Sequence, residues 1–133
     1  MICATHAVIG AALGRLIGRP APAFALGVLS HAVADLLPHR DYDLPREAAL
    51  LVAALGLLAG RYGVGSPAWY GALGAAAPDL ENAVGILTRR ADDRGLFPTH
   101  RGLHGPRRQE TWSQLVLAMG LLALARPQGN STG

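Results

Sequence analysis

The sequence predicts an all-α protein, a compact bundle of about five helices embedded in a membrane. Three observations point there. Alanine and leucine, both good helix formers, carry the apolar content, while only 5% of the residues are aromatic and the β-branched residues never alternate over a useful stretch. Proline, glycine and arginine divide the apolar content into separate runs, as helix ends require. The run Ala48 to Gly60 has no polar side chain on any face, whereas a helix with one side in water carries a polar face. At 133 residues the chain suits one domain with one core, a helical metal-binding domain over 1–126 followed by a polar tail over 127–133.

The first segment, about 4–18, ends before Arg19-Pro20, because the residue preceding a proline is pushed out of the α region. No basic stretch precedes its apolar residues, so it is expected to stay in the mature protein rather than to be cleaved as a signal peptide. The second, about 21–37, stops at Pro38 and the polar run His39-Arg40-Asp41-Tyr42-Asp43, a solvated turn or a further source of ligands. The third, about 45–61, opens with Pro45, whose missing N–H is tolerated in a first turn. The fourth, about 67–88, starts beside Trp69 and Tyr70, which suit either a membrane interface or a core. The fifth, about 109–126, has Trp112 near its start. A membrane span uses roughly 20 mostly apolar residues. The uncharged runs here are shorter, so buried core helices compete with the membrane reading, which the composition of Ala48 to Gly60 favours.

All twelve basic residues are arginine, which together with the alanine, glycine and proline content resembles a GC-rich bacterial coding bias. A net charge of +3 and a pI near 9.8 raise the question of nucleic acid. The arginines lie between apolar segments without interleaved aromatics, however, which makes nucleic-acid binding through the 89–108 stretch the weakest functional reading. The same arginines suit the edge of a bacterial cytoplasmic membrane with lipids as partners, a soluble cytoplasmic bundle being the alternative. The single Cys3 excludes an intrachain disulfide and a zinc ribbon. No phosphate-binding loop exists without lysine, and Ser30 next to His31 forms no nucleophile elbow.

Histidine and aspartate inside apolar helices carry the chemistry. His6, Gly10, Gly14 and Gly18 recur at spacings of four, as do Gly27, His31 and Asp35, and Gly71, Ala75 and Asp79. Residues so spaced share one helix face, and glycine there lets a second backbone approach. Three helices thus present a polar group on a close-packing face. Either these groups hydrogen-bond one another in the core, or they bind a cation, which neutralises buried carboxylates and uses their lone pairs. His31 and Asp35 form an HxxxD pair that stacks an imidazole over a carboxylate one turn away, in reach of one ion. Pro78 removes a backbone donor beside Asp79, the preferred ligand of that segment. Glu81, two positions on, faces elsewhere in a continuous helix and is either a base or a solvated side chain. His100 and His104 suit one metal if their segment is helical, although its glycines and proline suggest a loop. Between them, Arg101 either binds an anionic substrate through its planar fork or is solvated.

Thr5-His6 with Gly10, the stretch Ser30 to His39, the Pro78-Asp79 step and the block His100-Arg101-Gly102-Leu103-His104 together resemble the bacterial family of membrane-bound, metal-dependent hydrolases. The blocks span most of the chain from Thr5 to His104. The resemblance implies a small helical inner-membrane protein with a metal site, and a more distant likeness to zinc-dependent phospholipase C. Two departures stand out: Glu81 replaces the second acid of a Pro-Asp-x-Asp element, and Leu103-His104-Gly105 stands where Thr-His-Ser usually follows the His-Arg-Gly block.

The expectation is therefore a hydrolase of phosphoester bonds, with phospholipids as candidate substrates. His6, His31, Asp35, Asp79 and His104 would hold divalent metal, zinc above all, with His100 as a further ligand. Asp79 or Glu81 would take a proton from water, and Arg101 would hold the anion. A non-enzymatic protein with a structural metal site or a buried polar network is the rival. Substrate, metal number and oligomeric state are not encoded in these patterns.

Overall fold

The computed structural model describes residues 2–36 and 42–88, together with Val116 and Gly120. Among these residues it contains four α-helices and no strand. Helix α1 (Cys3–Ile17) closes on Gly18, whose φ of 69° is left-handed and whose N–H bonds to the Gly14 carbonyl at 3.0 Å. Glycine takes that conformation without a Cβ penalty. Gly18, spaced as the last member of the α1 stripe, is thus a cap rather than a packing contact.

Helix α2 (Pro20–Ala34) begins on a proline and ends with Asp35 as its C-cap. The Asp35 N–H still bonds to the His31 carbonyl at 2.9 Å, so the one-turn relation of His31 to Asp35 survives an end that comes earlier than predicted. Helix α3 (Leu44–Tyr62) starts at Asp43, whose carbonyl accepts from the Arg46 and Glu47 N–H groups and whose side chain pairs with Arg46 at the surface, 3.3 Å away. Helix α4 (Pro67–Leu87) is capped by Ser66, whose Oγ accepts from the Trp69 N–H at 3.1 Å, and it runs on through Pro78.

Helix α4 packs against both α1 and α2, which also pack on each other; α3 lies on the α1 side. Glycine permits this arrangement. A Cβ on Gly10 would run into the Gly71 carbonyl and Ala75, one on Gly27 into the same carbonyl, and one on Gly74 into the Phe24 carbonyl. Three backbones therefore meet near Gly71 at a separation that side chains would forbid. The adjacent face of α1, with Cys3, Ala7 and Ala11, packs in one cluster with Ala72 and Ala76 of α4 and Leu51 and Leu58 of α3.

The expectation of transmembrane helices is corrected. Among the described residues no helix is long and apolar enough to cross a membrane. Helices α1 and α2 have 15 residues each. At 1.5 Å per residue that is about 22 Å, short of a hydrocarbon core of roughly 30 Å. The longer α3 includes Arg46, Glu47 and Arg61, and the second half of α4 carries Asp79, Glu81 and Asn82. The predicted fifth segment, 109–126, lies outside the described residues except for Val116 and Gly120, both helical.

Candidate metal centre

Each of the three packing stripes ends in its polar residue, so the close approach at Gly71 delivers those residues to one place. His6 from α1, His31 and Asp35 from the end of α2, and Asp79 from α4 meet there. His6, His31 and Asp35 are at most 1% exposed. Asp79 is 19% exposed as a side chain, with its Oδ2 atom buried.

Hydrogen bonding fixes the rings. The Ala75 carbonyl can only accept, so His31 Nδ1–H donates to it, at 2.8 Å. Pro78, lacking an N–H, crowds the Gly74 carbonyl one turn before it, and Ala75 is the next carbonyl along. His31 Nε2 is thereby turned toward carboxylates, 3.2 Å from Asp35 Oδ2 and 3.8 Å from Asp79 Oδ1. His6 Nε2–H donates to Asp35 Oδ1 at 3.0 Å. The rings of His6 and His31 stack with centroids 4.0 Å apart. His6 Nδ1 is buried and has no hydrogen-bond partner among the described residues.

Electrostatics follow from this geometry. Burial pushes the His6 pKa below its ordinary 6.5, outweighing the hydrogen bond to Asp35, so His6 is held neutral. Burial alone would raise Asp35. Hydrogen bonds from His31 and His6 prevail and hold it well below the ordinary carboxylate range. Cys3, three residues before His6, joins the same neighbourhood. Burial pushes its thiol far upward, helped by the charge of Asp79, by a hydrogen bond to Asp79 and by the charge of Glu47.

One donor atom from each of His6, His31 and Asp79 lies within 4.8 Å of the other two, close enough for a shared ion. In a tetrahedral site with zinc–ligand distances near 2.1 Å, neighbouring donors lie roughly 3.4 Å apart. The separations from His31 Nε2 to Asp35 and Asp79 bracket that value. A buried ring nitrogen without a partner also fits a cation and not an apolar core. The residues present therefore suit a divalent metal.

Glu81 follows Asp79 by two positions in the continuous α4; it is partly buried and is not in that donor set. His100, Arg101 and His104 lie outside the described residues, as do His39 and Asp41. Ser30 donates to the Gly27 carbonyl at 2.7 Å, a local bond within α2. Sequence reasoning passed over Cys3 and Glu47. For Cys3 the signal was present, a spacing of three from His6; the Glu47 carboxylate acts on α1 from another helix and leaves no local trace.

No family model matches the chain, and neither does any curated protein or solved structure.

Proposed function

We propose that the protein is a metal-dependent hydrolase whose centre is built by His6, His31, Asp79 and Asp35. The observation that carries this reading is the orientation of His31. With Nδ1 committed to the Ala75 carbonyl, Nε2 confronts two carboxylates, and only a cation between them, proton or metal, makes that arrangement favourable. His6 supports the metal over the proton. A proton-only network leaves His6 Nδ1 buried with an unused lone pair, which costs free energy, whereas a metal ion uses a ring lone pair.

When bound, a zinc ion supplies Lewis acidity and lowers the pKa of its water toward about 7. The protein's own part is divided among the four side chains. Asp35 orients His6, the Ala75 carbonyl orients His31, and such outer partners fix ring direction and basicity. Asp79, the most exposed of the four, would take the proton from water. A partly exposed member also suits a catalytic site, which keeps an open position, over a structural one closed by four ligands. Phosphoesters remain the substrate class of this proposal through the family resemblance, with Arg101 as the anion-holding group.

Elemental analysis of the tag-free protein beside His31→Ala and Asp35→Ala tests the metal. About one equivalent of zinc in the wild type and little in either variant is expected; equal content in all three refutes it. Turnover of a phosphodiester panel, lost on chelation and restored by zinc, tests the hydrolase. Metal without turnover of any substrate leaves a structural site.

A further inference from the structure

We propose that Glu47 is a positioning residue of this centre, its carboxylate holding the first turn of α1 and through it the place of His6. The proposal rests on the metal reading above. His6 closes that first turn. Its N–H is the first in α1 to bond to a carbonyl four residues back, that of Ile2, at a long 3.3 Å, and the same carbonyl also accepts from the Thr5 N–H at 2.8 Å. The N–H groups at the start of an α-helix have no partner within it and depend on a cap. Ile2, the N-cap, offers no side-chain acceptor. Glu47 supplies one from α3, its Oε2 accepting from the Cys3 N–H at 2.8 Å. A carboxylate at the positive end of α1 is favoured by the helix dipole as well.

Glu47 is itself held firmly. Its Oε1 accepts from the Tyr42 N–H at 2.9 Å, so both oxygens are engaged, and its own N–H bonds to the Asp43 carbonyl at 3.0 Å in the first turn of α3. Cys3, 5% exposed, packs in one cluster with Leu51 and Leu58 of the same helix. Helix α3 therefore grips the start of α1 by packing and by a charge-assisted hydrogen bond. His6 needs that grip because its other contacts demand accurate placement. The ring is 1% exposed, its Nε2–H reaches Asp35 at 3.0 Å, and its face stacks on His31 with centroids 4.0 Å apart. Fraying of the first turn would carry the ring away from both. Glu47 is not in the mutually close donor set, which among the described residues is His6, His31 and Asp79. It acts on affinity from behind, through the backbone that bears a ligand.

Cobalt(II) titration against a competing chelator, with unfolding curves for each protein, tests this in the full-length wild type, Glu47→Ala, Glu47→Gln and Leu58→Ala. Glu47→Ala should bind about 10-fold more weakly, as when a group that orients a ligand is lost. Glu47→Gln keeps an oxygen for the Cys3 N–H and should bind within a few-fold of wild type. Leu58→Ala truncates α3 in the core and leaves Glu47 in place, so it should lower stability and keep wild-type affinity. Equal affinity in Glu47→Ala, no rescue by glutamine, or an equal loss in Leu58→Ala overturns the positioning role. A wild type that takes up neither cobalt nor zinc overturns the metal reading itself, which separates the two failures. One measurement does not depend on the variants folding. Coupling is reciprocal, so if the cap strengthens metal binding about 10-fold, metal must slow opening of the cap by about the same factor. Hydrogen exchange at the Cys3 amide of the wild type is expected to slow accordingly on zinc loading, and unchanged exchange overturns the proposal.

Discussion

His31 Nδ1 stands 2.8 Å from the Ala75 carbonyl oxygen, across the interface of α2 with α4. One turn before each partner lies a glycine, Gly27 and Gly71, and a Cβ on Gly27 would meet the Gly71 carbonyl. The contact that orients a candidate ligand is thus made possible by the residues that let the two backbones approach. Packing and chemistry are not separable here.

Gly71→Ala should accordingly destabilise the fold and the site together. Its Cβ would meet backbone atoms of Gly10 and Gly14, which cannot rotate away, and overpacking of this kind costs about 1–3 kcal/mol. Gly56 in α3 is the control. Nothing lies within 4 Å of its Cβ position. Gly56→Ala should stabilise by about 0.5–1 kcal/mol through helix propensity alone. Urea unfolding of both variants checks the pair, and equal effects would show that the three backbones do not meet at Gly71.

The metal-free protein should lose stability in acid in two windows. The His6 pKa is depressed below 6.5, so the unfolded chain binds more protons between that value and the folded one. Its contribution is complete above 6.5 and declines as pH falls through the window. Asp35 has the same sign further down, its folded pKa lying below the ordinary 3.8, and its contribution is lost as pH falls beneath 3.8. Unfolding free energies measured in chelator from pH 8 to pH 3 should fall in both windows. In His6→Gln the upper decline should shrink, and an unchanged profile would show that His6 is not buried neutral.

Glu47→Ala should weaken the start of α1. The N-cap of α1 is Ile2, which offers no side-chain acceptor, and the Cys3 N–H is satisfied by Glu47 instead. Losing a cap costs about 0.5–2 kcal/mol. Thermal unfolding should show the loss, and hydrogen exchange should speed up at Cys3. Exchange that stays unchanged there would mean that Glu47 does not cap α1 in solution.

The stripes were legible because helical periodicity is a local property. Spacings of four placed His6 with Gly10 and Gly14, His31 with Gly27, and Asp79 with Gly71, and in the structure these faces adjoin. Periodicity names a face without naming its neighbour, which is why the reach of Glu47 from α3 to α1 could not be read. Ala48 to Gly60 misled for a related reason. An apolar run on every face looked like a membrane span, yet α3 buries only Leu51 and Leu58 fully, and charged residues lie at both its ends. Asp35 was placed within a helix and stands at its C-cap, with the same neighbours, since one further turn of backbone is not needed to bring His31 and Asp35 together.

Asparagine at the two aspartates separates a metal centre from a buried polar network. Asp35 is 1% exposed and serves both His6 and His31. Asp35→Asn should therefore cost about 1.5–3 kcal/mol in the metal-free protein, the range for a hydrogen bond to a charged group, and should also weaken zinc binding. Asp79 is the least buried of the four, at 19% exposure. Asp79→Asn should thus change metal-free stability by no more than about 1 kcal/mol. It should still weaken zinc binding by about 100-fold or more, since a direct ligand matters at least as much as an outer partner. Chemical unfolding in chelator gives the first quantity and competition titration the second. Equal destabilisation by both variants, with no change in metal affinity, would identify the four side chains as a hydrogen-bonded core.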